Sequence, residues 1–338
     1  MTDMRQQQAE RYREPSFEEA VDIADEVRQW RRDRRKVIAM RVVAALLIIL
    51  AIGIGGFPTF LQYQSAQELR NTSNRSAQAV AGWPYPQADE TFAAAKAYNR
   101  RLAASGQPIL GEAQDPFSQV QGGSQSSESG AAESNSASAK DKEYQSLLDS
   151  GSGVMGTIRI PKISVRLPIY HGTSQSALAS GAGHLYGSSL PVGGRSTHAV
   201  ITGHRGLVEA MMFTRLDEMR VGDYFYIEVM GRTLGYKVDR ISVIEPNDTS
   251  TLKIVPGEDR VTLMTCTPYG VNTHRLLVSA VRSAIPGVVP EERNAAKDAR
   301  TIAITAAVAT LLLGLLLVWL RRRPWHIRRH AAWWPKRG

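Results

Sequence analysis

Cys266 is the only cysteine in this 338-residue chain, and it closes the run Val261-Thr262-Leu263-Met264-Thr265. The alternation predicts a strand with Val261, Leu263 and Thr265 on one face and Thr262, Met264 and Cys266 on the other. The turn-forming stretch Pro268-Tyr269-Gly270-Val271-Asn272 follows, and His274-Arg275-Leu276-Leu277-Val278 reads as a second strand. A hairpin return of this kind permits the Arg275 guanidinium to come back beside the Cys266 thiol. A free thiol with a pKa of about 8.5 is only slightly ionised at neutral pH, so a nucleophilic cysteine needs a cation or base beside it. The bland alternative is a small buried hydrophobe with no chemistry.

The candidate base is His204. It follows the strand-like run Ala199-Val200-Ile201-Thr202 and lies in Gly203-His204-Arg205-Gly206. Glycines on both sides allow a sharp turn and leave the imidazole uncrowded. A single loop histidine is commonly structural, but with a lone cysteine at another strand end it becomes a candidate partner. His171, His184 and His198 have no particular pairing with Cys266, and His326 and His330 lie in the C-terminal tail. There is no second cysteine, no HExxH and no close histidine pair at ligand spacing within residues 61–300, so no metal site is supported there. No organic cofactor is suggested either.

The elements that must position these groups are short. Residues 154–161, 165–170, 197–202, 224–229, 232–244, 260–266 and 274–281 are β-rich runs parted by Gly, Pro, Asn and Asp. That pattern predicts one small all-β barrel or sandwich. Residues 207–216 are the best helix candidate inside it. Upstream, residues 61–106 read as helix broken at Trp83-Pro84-Tyr85-Pro86. Asp115-Pro116-Phe117 comes next, then a Ser/Gly-rich stretch, residues 121–139, that cannot form a core. By itself Asp-Pro-Phe is an ordinary turn with an apolar anchor; beside such a stretch it is also a candidate flap.

Residues 42–60 and 301–320 carry no charge, and each is long enough to span the ~30 Å hydrocarbon core as a helix. Basic clusters flank the first on its N-terminal side and the second on its C-terminal side. Both tails are therefore expected in the cytoplasm and residues 61–300 outside. The first segment, preceded by a long polar stretch, reads as an uncleaved anchor rather than a signal peptide. Of the formal charge of +9, +7 sits on residues 321–338, which argues for a membrane surface and against nucleic acid. An unpaired cysteine outside the cell is conspicuous.

The run Thr262-Leu263-Met264-Thr265-Cys266-Thr267-Pro268-Tyr269-Gly270-Val271-Asn272-Thr273-His274-Arg275 resembles the signature of the sortases, specifically the pilin-polymerising class C. The likeness extends through Gly181-Ala182-Gly183-His184-Leu185-Tyr186-Gly187 and Ile201-Thr202-Gly203-His204-Arg205-Gly206-Leu207, and covers roughly residues 141–286. It implies a closed β-barrel of about eight strands with catalytic Cys266, His204 and Arg275. It also implies a lid made of Asp115, Pro116 and Phe117, with Phe117 against the Cys266 region and Asp115 near Arg275. Val208 and Ser279-Ala280 depart from the family pattern without touching the three catalytic positions.

The expected organisation is a cytoplasmic tail (1–36), a transmembrane helix (37–60) and an extracellular helical segment (61–113). A lid with its hinge (114–140), the catalytic barrel (141–290), a second transmembrane helix (301–320) and a basic cytoplasmic tail (321–338) complete it. The resemblance implies a cysteine transpeptidase on a Gram-positive-type cell. It would cleave LPxTG-type sorting signals through a thioacyl-enzyme and join pilins through a lysine isopeptide bond. The alternatives are anchoring of surface proteins to a cell-wall amine, or a non-catalytic extracellular binding module. A papain-like hydrolase is disfavoured because the β-rich pattern lacks a helix to carry the cysteine.

Overall fold

The computed structural model describes residues 17, 22, 24–108, 110, 136–151, 153–205, 207, 209–290 and 306–315. Helix α1, Ala24–Ala81, contains the charge-free stretch. It is the one helix among the described residues that is long and apolar enough to cross a membrane. The second expected span is described only in part. Only the apolar helix Ala306–Leu315 is described there, and the remainder of 301–320 lies outside the described residues. Asp115, Pro116 and Phe117 also lie outside them.

From residue 66 onward α1 buries Leu69, Ser73 and Val80, and the Ser76 hydroxyl meets that of Ser150. The break expected at residues 83–86 ends α1, and α2 runs from Gln87 to Ala104. Asp89 and Glu90 open α2 and Arg101 lies in its last turn, matching the helix dipole. Phe92, Ala95 and Asn99 form its buried stripe. The Asn99 amide pins α2 to the barrel: Nδ2 donates to the Leu190 carbonyl at 2.9 Å and Oδ1 accepts from the Leu190 N–H at 2.7 Å. Two short helices, α3 (Ala137–Lys140) and α4 (Lys142–Ser146), are N-capped by Ser136 and Asp141.

The barrel comprises β1 (Val154–Ile160), β2 (Val165–His171), β3 (Ala182–His184), β4 (Thr197–Thr202), β5 (Tyr224–Val229), β6 (Arg232–Ile244), β7 (Asp259–Thr267) and β8 (His274–Arg282). Helix α5, Gln175–Ser180, connects β2 to β3. The strands close in the order β1-β2-β3-β4-β7-β8-β6-β5, so the eight-stranded barrel expected from the sequence is present. Most neighbours are antiparallel; β2–β3 and β4–β7 are parallel. Fully buried Ile158, Ile169, Ile201, Phe225, Ile227, Leu263 and Val278 contribute to the core.

Two local expectations differ from the structure. β3 was hidden in a glycine-rich stretch that reads as loop. Gly183 is needed because a Cβ there would lie 2.5 Å from the Gly172 carbonyl oxygen. No α-helix occurs among the described residues of 207–216. The Phe213 amide is taken by the carbonyl of His204 at 3.0 Å, and Thr214 and Leu216 bond three residues back, giving turns and a 3-10 segment, Leu216–Glu218.

Three histidines are structural. His171 faces the Gly153 and Leu147 carbonyls, and His184 joins the buried Tyr144 hydroxyl (2.9 Å) to the Ser189 carbonyl (2.8 Å). His198 lies between the Lys253 carbonyl (2.9 Å) and the Thr262 hydroxyl (2.7 Å). Burial pushes His184 and His198 down to about 4, against the smaller opposing pull of those carbonyls. Unfolded, each titrates near ~6.5, so between about pH 6.5 and 4 only the unfolded chain takes up these protons. Their contribution, up to roughly 3 kcal/mol each, is full above that window and is lost as the pH falls through it. The denaturant midpoint followed by circular dichroism is expected to drop steadily from pH 7 to 4; a flat midpoint would contradict this.

Candidate active site

Pairing register assembles the site. In the β7–β8 hairpin Cys266 stands opposite Arg275, and Thr267 opposite His274. Directly opposed residues share a face, so thiol and guanidinium leave the sheet on the same side. On the other edge of β7, parallel β4 runs in register with Thr202 opposite Met264. The track continues one residue further: Gly203 N–H donates to the Met264 carbonyl at 3.1 Å, and the Thr265 hydroxyl donates to the Gly203 carbonyl at 2.7 Å. His204 thus leaves β4 level with Cys266. The three side chains foreseen from the sequence are brought to one end of the sheet.

That end is dry. Relative exposure is 7% at His204, 4% at Cys266 and 2% at Arg275. Cys266 belongs to an apolar cluster with Leu178, Leu185, Val200, Ile244, Leu252, Met264 and Leu277. Met264 and Cys266 share that cluster, as strand alternation required. Burial lowers the His204 pKa from its ordinary value, which favours neutral imidazole at pH 7. Arg275 grips its own turn, with Nη1 donating to the Asn272 and His274 carbonyls at 2.9 Å each. Asn272 takes the left-handed conformation at φ 60°, which asparagine tolerates better than most residues.

Several contributors were not foreseen. Leu110 packs on the cluster that holds Cys266, and Gln107 fixes the chain just before it by bonding the Gly187 carbonyl and the Ile254 amide. Arg205 donates to the Cys266 carbonyl and the Thr267 hydroxyl. Its place beside His204 was the only available signal, and sequence alone does not say which way a loop arginine turns. Gly203 has a reason beyond turn flexibility: a Cβ there would lie 2.7 Å from the buried Phe213 ring. Gly206 lies outside the described residues. Among the described residues no group of three or more His, Cys, Asp or Glu side chains could hold a metal.

Comparison with known proteins points to one family. Residues 158–283 match the family model described as Sortase domain. Sortase C1 of Streptococcus agalactiae is 40% identical, with 65% of this chain and 100% of that chain covered and a TM-score of 0.54. Sortase C of Streptococcus pneumoniae, whose structure was described for its insights into catalysis and pilin substrate specificity, is 37% identical. It covers 65% of this chain, is itself covered completely (100%), and has a TM-score of 0.53. Sortase A of Streptococcus agalactiae is 30% identical over 130 residues, 38% of this chain and 52% of that protein. The chain spans about half the length of the curated relatives it matches. The chain is a closed eight-stranded barrel and belongs to the sortase family.

The Gly203–Phe213 contact yields a test. Gly203→Ala is expected to destabilise the fold by about 1–3 kcal/mol, because the ring or the strand end must move. Denaturant unfolding would measure it, and an unchanged midpoint would show that the ring is not held against this backbone.

Proposed function

We propose that the chain is a membrane-anchored cysteine transpeptidase that accepts LPxTG-type sorting signals and joins pilin subunits through a lysine amine. The carrying observation is the double pairing of β7, which brings Cys266, His204 and Arg275 to one end of the sheet. The likeness to Streptococcus pneumoniae sortase C, a protein described in terms of pilin substrates, supports the class of substrate.

The chemistry follows from the residues. Neutral His204 takes the Cys266 proton, and the thiolate attacks the Thr carbonyl carbon of the signal. The resulting oxyanion collapses, the Thr–Gly C–N bond breaks, and imidazolium gives its proton to the leaving Gly amine. The lysine amine then attacks the thioester, His204 removes its proton, and the C–S bond breaks. Arg275 stays charged throughout, so it serves as a fixed partner for developing negative charge and not as a base. The reacting groups lie at a buried strand end beside apolar side chains, where the low local dielectric strengthens each of these interactions.

Asp115, Pro116 and Phe117 are proposed as a lid over this pocket. Leu110, seated on the Cys266 cluster, comes five residues before Asp115. Five residues reach at most about 18 Å, enough to lay the lid on the thiol. Residues 42–60 anchor the enzyme, and the apolar helix Ala306–Leu315 supports a second anchor near the C-terminus.

In transfer from an LPxTG peptide to a lysine peptide by the full-length chain in detergent, Cys266→Ala is expected to abolish product. His204→Ala should lower the rate about 10²–10⁴-fold. A preference for a cell-wall amine over lysine would instead favour surface anchoring, and a fully active Cys266→Ala would overturn the reading. Removing the lid contacts with Asp115→Ala and Phe117→Ala should speed iodoacetamide labelling of Cys266; unchanged labelling would remove the lid from the proposal.

A further inference from the structure

We propose that Arg205 is a positioning residue for the nucleophile, an inference that rests on the transpeptidase reading of Cys266 and His204. Arg205 is bonded through the main chain to His204. Its Nη1 donates to the Cys266 carbonyl oxygen at 3.3 Å and to the Thr267 hydroxyl at 3.0 Å. One side chain therefore bridges the two strand ends that carry the reacting groups. Holding the Cys266 carbonyl fixes the peptide plane that follows Cys266, and with it the direction in which Cβ and the thiol leave the strand. One path from imidazole to thiol then runs through only His204, Arg205 and Cys266.

The bridge is anchored from outside the two strands. Nη2 donates to Oδ2 of Asp217 at 2.5 Å, in the 3-10 segment after β4. The guanidinium carbon also lies 6.0 Å from the ring centroid of Tyr269, in the turn after β7. The Arg205 side chain is 6% exposed and that of Asp217 is 52% exposed. The acid is thus largely hydrated while the cation is not, and Asp217 acts chiefly by orienting the fork. A planar guanidinium can hold three acceptors on two nitrogens at fixed angles; the ammonium of lysine is a compact point charge on a flexible stem. An arginine serving stability alone has no need to spend its donors on the peptide of the lone cysteine. Among the described residues, the charged and titratable groups that these contacts bring to this strand end include His204, Arg205, Asp217, Cys266, Tyr269, His274 and Arg275, from the loop after β4, the 3-10 segment and the β7–β8 hairpin. A displacement of about 1 Å between nucleophile and base can cost on the order of 100-fold in rate, so the bridge is expected to be visible in turnover.

The test uses the full-length chain in detergent with Arg205→Gln, Arg205→Lys and Asp217→Asn. The first readout is kcat and KM for acyl transfer from an LPxTG peptide. The second is the pH midpoint of Cys266 alkylation by iodoacetamide, which needs no peptide. Arg205→Gln is expected to lower kcat at least about tenfold with KM within about twofold, and to move the alkylation midpoint upward by about half a pH unit or more. Arg205→Lys should recover part of both effects, and Asp217→Asn should fall between wild type and Gln. Wild-type kcat and midpoint in Arg205→Gln, even with a lower unfolding temperature, would reduce Arg205 to a structural role and overturn the proposal. A raised KM with kcat unchanged would also overturn it, by making Arg205 a substrate contact. If Arg205→Gln fails to fold by circular dichroism, the same comparison is decided on Arg205→Lys. If the wild type transfers no acyl group, the transpeptidase reading fails, while the alkylation midpoint still decides whether Arg205 sets the thiol.

Discussion

The site depends on the position of β7, which is hydrogen-bonded along one edge to a parallel neighbour and along the other to an antiparallel one. Parallel pairing with β4 puts the C-terminal ends of both strands at the same edge of the barrel, so the residues that follow Thr202 and Met264 emerge together. Antiparallel pairing with β8 brings the start of that strand to the same edge. Three chain segments, two ending and one beginning, therefore converge on one point. A one-residue slip of β7 against either neighbour would turn Cys266 to the opposite face and dissolve the arrangement.

Parallel pairing has a topological cost that the rest of the fold meets. β4 and β7 cannot be joined by a tight turn, and the chain between them forms β5 and β6, which complete the barrel on its far side. The same excursion includes Phe213 and Asp217, so the connection also supplies groups that brace the loop carrying His204. Burial then sets the chemistry. Burial of this strand end favours neutral imidazole at His204 near pH 7 and limits access to the thiol. It also requires that the buried Arg275 guanidinium find acceptors, which the carbonyls of its own turn provide.

Much of this was legible in the sequence, for identifiable reasons. The apolar run from Val261 to Cys266 gave the strand, the two-residue period of a strand gave the face of the thiol, and the turn residues after it gave the hairpin. Residues 197–202, 224–229 and 232–244 coincide with β4, β5 and β6 because Gly, Pro, Asn and Asp punctuate them sharply. β3 was not legible, since three residues in a glycine-rich stretch carry no period. The helix expected at 207–216 is not seen among the described residues, where the Phe213 amide is used by a carbonyl nine residues earlier, a tertiary bond that local propensity does not register. Arg205 and Leu110 escaped for the same reason: their importance lies in what they touch. His204 was singled out by its place at the end of a strand-like run between glycines, and the likeness to the sortases then implied the same histidine together with Cys266 and Arg275.

The most direct measurement is the intact mass of the full-length chain after incubation with an LPxTG peptide, with and without an added amine. The expected result is a single acyl adduct on Cys266 that disappears when the amine is supplied, with release of the amide product. An unmodified, folded protein with its lid residues replaced by alanine would contradict the central claim, and Cys266 would then be a buried core thiol at the end of a well-packed strand.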